Sequence, residues 1–362
     1  MSRIALTGGR GFLGWHTRCA AASRGTEASL IPVGSGFDLE SATTMLEGAS
    51  RLVHVAGVNG APESEGLALN RAFADQMARA LVRTSSPPPV VVFASSTRAG
   101  DNSAYADAKE DAAEFLARAA ATVGSEFIEA RFPSIFGEHG TPDCDSVVAN
   151  FCHVVATGGA PSIDRDYELT LVHAQDAADL LLGYADDQEA LESTVTVSQV
   201  LREIQDMADV YATGDLPDLT EPFARNLFNT YRSSLFEHRS TIGFPVHRDE
   251  RGSLVELARA HGGAAQTSVS VTVAGATRAE HFHRRKAERI VPLVGTVTVA
   301  LRKMFTSEVM TIDLGAAQAT AVDIPTLWTH SFHNPGPGEL VLMFWASSLH
   351  DPNDPDTYPE AV

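Results

Sequence analysis

The chain has 362 residues, 44% of them hydrophobic, and a formal net charge of -19, so it can bury more than one core and two domains are expected. That acidic balance excludes nonspecific binding to nucleic acid or to acidic membrane surfaces, which takes clustered Lys and Arg. Cys19, Cys144 and Cys152 lack CxxC spacing and exclude a thiolate zinc site or a disulfide framework, and no apolar run approaches the roughly 18 residues of a membrane span, so a soluble cytoplasmic protein is expected.

In chain order, "RIALTG", "ASLIPVG", "RLVHVAG", "PVVVFASS" and "EFIEARF" are short apolar runs alternating with helix-length amphipathic segments as far as about Leu182. This alternation predicts right-handed βαβ units and a doubly wound parallel sheet, an α/β fold. From Ala190 to about Arg239 the pattern is mostly helical, with Thr196 and Gln199 spaced as a capping box. The seam is expected near "HRSTIGFP", giving domains 1–242, with 186–240 a largely helical substrate-side part, and 243–362. After it, "GSLVEL", "QTSVSVTV", "RIVPLV", "TVTVALR", "VMTIDL", "QATAVDI" and "ELVLMFW" follow closely with no helix between them, which predicts an all-β sandwich or barrel.

The first half carries a dinucleotide pattern. "ALTGGRGFLG" sets Gly8, Gly11 and Gly14 between a strand and a helix, where small residues let the backbone approach a pyrophosphate and the helix N-terminus attracts its charge. "LIPVGSG" offers Gly34 and Ser35 where a ribose-binding acid is expected, which leaves room for a 2′-phosphate and favours NADPH. Ser96 ends a strand, and Tyr105 and Lys109, four residues apart, share one helix face. A phenol titrates near about 10, and an adjacent ammonium favours the phenolate, bringing Tyr105 within reach of proton transfer.

These motifs resemble the extended short-chain dehydrogenase/reductase family over roughly residues 1–240. The resemblance implies a tyrosine acid/base at Tyr105, a lysine on the nicotinamide ribose at Lys109, a carbonyl-polarising hydroxyl at Ser96 and an adenine-side acid at Asp38. The short interval from Ser96 to Tyr105 implies a trimmed active-site loop.

In the second half, "GATRAEHFHRRKAERIVPLVG" suits a metal on a β-hairpin: alternation sends His281 and His283 to one face, and the adjacent strand can return Glu288 to it. "IPTLWTHSFHN" supplies a third histidine, His330. Zn, Mn, Fe and Ni all suit mixed nitrogen and oxygen ligands. The two-part pattern resembles the cupin barrel family, whose ligands are two His and a Glu from the first motif and one His from the second. Leu327 stands where that family usually has glycine. "HRDERGSLVE" is similar to the entry strand of deoxysugar 3-epimerase cupins.

Joined in this order, the halves resemble the bifunctional capsular-polysaccharide enzymes of the CapF type end to end, through "TGGRGFLG", "HVAGVN", the close-set Ser and Tyr-x-x-x-Lys, "DRDYELTLVHAQD", "HFHRRKAE" and the closing "DPNDPDTYPEAV". The resemblance implies a Rossmann-type domain with a C-terminal cupin barrel, a UDP-linked 2-acetamido-2,6-dideoxy-4-hexulose as substrate, NADPH, zinc and a homodimer. The cupin would epimerise C3 and the reductase domain would reduce C4, in a UDP-N-acetyl-L-fucosamine pathway. Proton transfer falls to Lys286 or to His281; if His281 is the base, His283, Glu288 and His330 remain as the metal set. Arg165 matches a family position for the anionic nucleotide, and an ion pair with Asp164 or Asp166 is its other reading. Gly60 follows Asn59 where relatives carry arginine, so a related 4-keto sugar stays open. Two other functions also stay open: a sugar epimerase or dehydratase with tightly held NAD and a non-catalytic cupin, and a dinucleotide-sensing binding protein.

Overall fold

The computed structural model describes residues 2–58, 63–97, 104–142, 146–250 and 252–362. The elements run β1 (Arg3–Thr7), α1 (Phe12–Ser23), β2 (Glu27–Ile31), α2 (Leu39–Leu46), β3 (Arg51–His54), α3 (Glu63–Arg83), β4 (Val90–Ser96), α4 (Ala104–Val123) and β5 (Glu126–Phe132). All five expected strands form one parallel sheet in the order β2-β1-β3-β4-β5. Alternate side chains of these strands are buried on opposite faces. Leu6, Val53, Val92 and Phe132 pack towards one helical layer, and Ala5, Leu52, Val91 and Phe93 towards the other. Burial on both faces is why the strands read as continuous apolar runs rather than as an alternation.

The chain continues through β6 (Ser134–Phe136), α5 (Val147–Ala156), β7 (Glu168–His173), α6 (Ala174–Leu182), β8 (Glu192–Thr196), α7 (Val197–Ala212) and α8 (Pro222–Phe236). A small sheet has the order β6-β7-β8. The capping box at α7 is formed: the Thr196 hydroxyl accepts from the Gln199 N–H, and the Gln199 side chain accepts from the Thr196 N–H.

Apart from a single 3-10 turn at Ala316–Gln318, the remaining elements among the described residues are strands: β9 (Thr241–Gly243), β10 (His247–Asp249), β11 (Gly252–Leu254), β12 (Gln266–Thr272), β13 (Thr277–Phe282), β14 (Glu288–Val294), β15 (Thr296–Lys303), β16 (Val309–Gly315), β17 (Thr320–Ile324), β18 (Trp328–His333), β19 (Leu340–Ala346) and β20 (Tyr358–Pro359). They build two antiparallel five-stranded sheets, β12-β19-β14-β17-β9 and β16-β15-β18-β13-β20, and a β10-β11 hairpin. Ile290, Val322, Ile324, Leu340 and Leu342 of the first sheet share a core with Val297, Val299, Leu301, Leu314 and Phe332 of the second. This is the all-β cupin-type barrel, and the fold class is α/β followed by all-β.

Two compact units emerge, and their division differs from the expected break at residue 242. One comprises 1–136, 140–146 and 168–195; the other comprises 137–139, 147–167 and 196–362. The helices after Thr196 therefore group with the barrel, for a visible reason. Asn229 and Arg232 on α8 donate to the carbonyls of Arg285 (2.8 Å) and Ile324 (2.6 Å), and β9 pairs with β17. Residue 242 lies inside β9, so a cut there would remove an edge strand. Cys19 and Cys152 are buried, and Cys144 lies outside the described residues. Among the described residues no helix is long and apolar enough to cross a membrane.

Candidate functional site

Among the described residues, each unit carries a cluster of chemistry-bearing side chains. In the first unit the cluster lies at the C-terminal ends of β1, β3 and β4, where the strand order reverses between β1 and β3 and where doubly wound sheets bind ligands. Gly8 has φ +68°, and a Cβ there would lie 2.7 Å from the Ala56 nitrogen; a Cβ on Gly14 would collide with the Gly8 carbonyl. Glycine at both positions lets the turn, β3 and α1 close on one another. Gly11 is the N-cap of α1 and provides no side-chain cap, so the first-turn N–H groups remain available to an anion. This cradle fits a dinucleotide pyrophosphate.

Ser96 is the last residue of β4, and Tyr105 and Lys109 stand four residues apart on α4. The Tyr105 side chain and residues 98–103 lie outside the described residues, as do Asn59 and Gly60. Lys109 is buried, its ammonium 5.3 Å from the centre of the Phe93 ring. Burial lowers its pKa to about 8, so a large fraction remains charged at neutral pH. His54 below it is fully buried, and burial together with the Lys109 charge pushes it down to about 3. It is a neutral group that hydrogen-bonds the Thr7 hydroxyl at 2.9 Å. Asp38 is exposed and caps α2 by accepting from the Ser41 N–H at 2.8 Å.

The second cluster lies in the barrel. One ligand atom from each of His281, His283, Glu288 and His330 falls within 4.8 Å of every other. His281 on β13 is the register partner of His330 on β18. The hairpin expectation needs correcting here: β13 and β14 belong to different sheets, so Glu288 reaches the cluster from the opposite sheet, across the turn that follows His283. The residues converge because the barrel closes, not because neighbouring strands alternate.

The protonation pattern suits a cation. The Nδ1 of His283 lies 2.7 Å from the Asp356 carbonyl, which can only accept, so Nδ1 carries the proton and the Nε2 lone pair is left for the centre. His283 Nε2 and His330 Nε2 are buried without hydrogen-bond partners and lie 3.5 and 3.6 Å from the Glu288 carboxylate. Burial works against an ionised Glu288, yet these two imidazoles hold its carboxyl well below the usual range. Burial, then the His330 and His283 rings, pushes His281 down to about 3. Imidazole nitrogens without hydrogen-bond partners, converging beside a carboxylate, form a donor set that fits a divalent metal such as zinc.

Lys286 is half-buried, its ammonium donating to the Thr357 hydroxyl at 3.1 Å and to the Pro355 carbonyl at 3.3 Å. Arg165 is exposed in the segment before β7, and the Asp166 carboxylate is engaged by the Ser198 N–H and hydroxyl at 3.0 and 2.7 Å. Asp356 is a site residue that motif reading missed. Its only sequence signal is a compact acidic tail, which by itself names no partner.

Leu327, at the place where cupins usually carry glycine, has φ +64°, and its N–H donates to the His283 carbonyl at 2.7 Å. It is also fully buried. Leu327→Gly would relieve about 1 kcal/mol of left-handed strain but forfeit about 2–5 kcal/mol of buried side chain. The variant is expected to be less stable by about 1–4 kcal/mol in a denaturant titration; a gain in stability would mean that strain outweighs packing there.

Residues 247–358 match the family model described as the polysaccharide biosynthesis C-terminal domain. The chain is 24% identical over 369 residues to the UDP-2-acetamido-2,6-beta-L-arabino-hexul-4-ose reductase of Pseudomonas aeruginosa, with 99% of each covered. It is similar to the crystal structure of the capsular polysaccharide assembling protein CapF from Staphylococcus aureus, with a TM-score of 0.61 and 26% identity, covering 99% of this chain and 100% of that one. The likeness to both proteins thus runs along the whole of this chain.

Proposed function

We propose that this CapF-type chain is a two-site enzyme acting on a UDP-linked 2-acetamido-2,6-dideoxy-4-hexulose. The barrel inverts C3 and the Rossmann-type unit reduces the C4 ketone with NADPH, towards a UDP-N-acetyl-L-fucosamine-type precursor of surface polysaccharide. The observation that carries this reading is the convergence of His281, His283, Glu288 and His330 in the barrel of a chain whose other unit holds a buried lysine beside a glycine cradle. The Pseudomonas relative, named as a UDP-2-acetamido-2,6-beta-L-arabino-hexul-4-ose reductase, supports the substrate class.

A ketone at C4 acidifies the C3–H, so one base on each face, or one base and solvent, suffices to invert that carbon. Lys286 and His281 are the proton-handling groups beside the barrel cluster. Zinc held by His283, Glu288 and His330, with or without His281, would supply positive charge that stabilises an enolate oxygen. In the other unit Gly8, Gly11 and Gly14 receive the pyrophosphate, Lys109 holds the nicotinamide ribose, Ser96 hydrogen-bonds the sugar carbonyl, and Tyr105 delivers a proton to the C4 oxygen. NADPH supplies the hydride. Arg165 is assigned to the nucleotide phosphates, and the working species is a homodimer.

The test is mass spectrometry of the product formed from that 4-hexulose and NADPH in heavy water. The expected product is a reduced sugar carrying carbon-bound deuterium. A reduced but unlabelled sugar would remove the barrel from the chemistry, and unreduced, unlabelled substrate would overturn the assignment.

A further inference from the structure

The histidine-glutamate cluster is held from outside by a segment that carries none of its ligands. Asp356 is buried and left-handed (φ +47°), a conformation that aspartate tolerates better than most residues. This twist turns its carbonyl to His283 and its carboxylate to the turn beyond. The carboxylate accepts three successive backbone N–H groups, from Arg284 (3.1 Å), Arg285 (2.9 Å) and Lys286 (2.7 Å), a small anion-binding nest. The neighbouring residues complete the clip. Asp354 pairs with Arg285 at 2.7 Å, Pro355 and Thr357 accept from the Lys286 ammonium, and β20 pairs with β13 at Phe282 and His281.

We propose that the strap Asp354–Thr357 positions the barrel site, with Asp356 as its positioning residue: the carbonyl sets the His283 tautomer, and the carboxylate fixes the turn that presents Lys286 and leads into Glu288. This deepens the reading of the four side chains as a metal centre and rests on it. The turn from His283 to Glu288 crosses between the two sheets, so its conformation decides whether ligands from both sheets meet. Without the carboxylate, three N–H groups lose their acceptor and the crossing is free to relax.

The experiment is zinc affinity, measured by chelator competition on the full-length chain, together with the nitrogen-15 chemical shifts of the His283 ring. Asp356→Ala should weaken zinc binding about 10–100-fold, the usual consequence of losing an outer-shell partner, and should mix the two His283 tautomers. Asp356→Asn, which keeps an acceptor oxygen and tolerates the left-handed backbone, should recover part of the affinity. Val299→Ala, a core truncation in the same barrel, serves as the stability control and should bind zinc as the unchanged chain does. Unaltered zinc affinity in Asp356→Ala would overturn the proposal, as would an equal loss in a Val299→Ala control of matched melting temperature. An unchanged chain that takes up no zinc would remove the metal reading itself, a separate failure visible before any variant is compared.

Discussion

Tyr105→Phe should abolish reduction while leaving proton exchange beside the ketone intact, and His330→Ala should do the reverse. Removing a general acid costs about 10²–10⁴-fold in rate, so the Tyr105 variant should scarcely oxidise NADPH. Removing His330 deletes a fully buried donor whose lone pair converges with those of its neighbours. The loss of several kcal/mol of enolate stabilisation corresponds to about a thousandfold in exchange. The checks are solvent deuterium exchange at C3 by proton NMR without NADPH, and NADPH oxidation with a 4-keto sugar already inverted at C3. Supplying the inverted sugar matters, because a reductase starved of its substrate would mimic a dead one. If each variant loses both activities, the two-site model fails. The clusters lie in different compact units, so each truncation is expected to leave the core of the other unit intact.

What the sequence disclosed depended on whether the information was local. The parallel strands were legible because each is a short run buried on both faces and closed by turn residues, and the α7 capping box because its two members are three residues apart. The four barrel residues were found by spacing, yet the reason they meet was not. Glu288 looked like the return limb of a hairpin because it follows His283 closely; only closure of two sheets shows that it arrives from the facing one. The division into units differs from the expected boundary for a related reason. The α8 residues Asn229 and Arg232 look like ordinary helix-surface polar groups in sequence, and their bonds to Arg285 and Ile324 are contacts that no periodicity encodes. Asp356 escaped notice because its hydrogen bonds span about seventy positions. Leu327 was visible in sequence only as a departure from the family's glycine; the left-handed backbone behind it appears in the structure.

Asp323→Ala should produce the largest loss of stability in the barrel. Asp323 on β17 is buried and forms a two-pronged pair with the fully buried Arg289 on β14, Nε to Oδ1 at 2.6 Å and Nη2 to Oδ2 at 2.9 Å, while the Tyr211 hydroxyl donates to Oδ2 at 2.6 Å. Arg289 Nη1 also donates to the carbonyls of Gly214 (2.6 Å) and Leu257 (3.1 Å). The network ties the end of α7 to two barrel strands. Burial opposes ionisation of Asp323, but Arg289 outweighs it and lowers the carboxyl below its usual range. A folded pKa below the unfolded one means that the stabilisation is present above the unfolded value, about 4, and is lost as pH falls through the folded value. Removing the carboxylate leaves a guanidinium buried without its counter-charge, which costs about 3–5 kcal/mol. For a unit of this size that corresponds to a melting temperature lower by about 6–20 °C. Replacing both partners, Arg289→Met with Asp323→Leu, should cost less than the single change, because no unpaired charge remains in the core. Differential scanning calorimetry of the single and double variants decides the matter. A double variant as unstable as Asp323→Ala would mean that the ion pair contributes net attraction rather than mutual neutralisation, and that Tyr211 and the Gly214 and Leu257 carbonyls depend on it for their own positions.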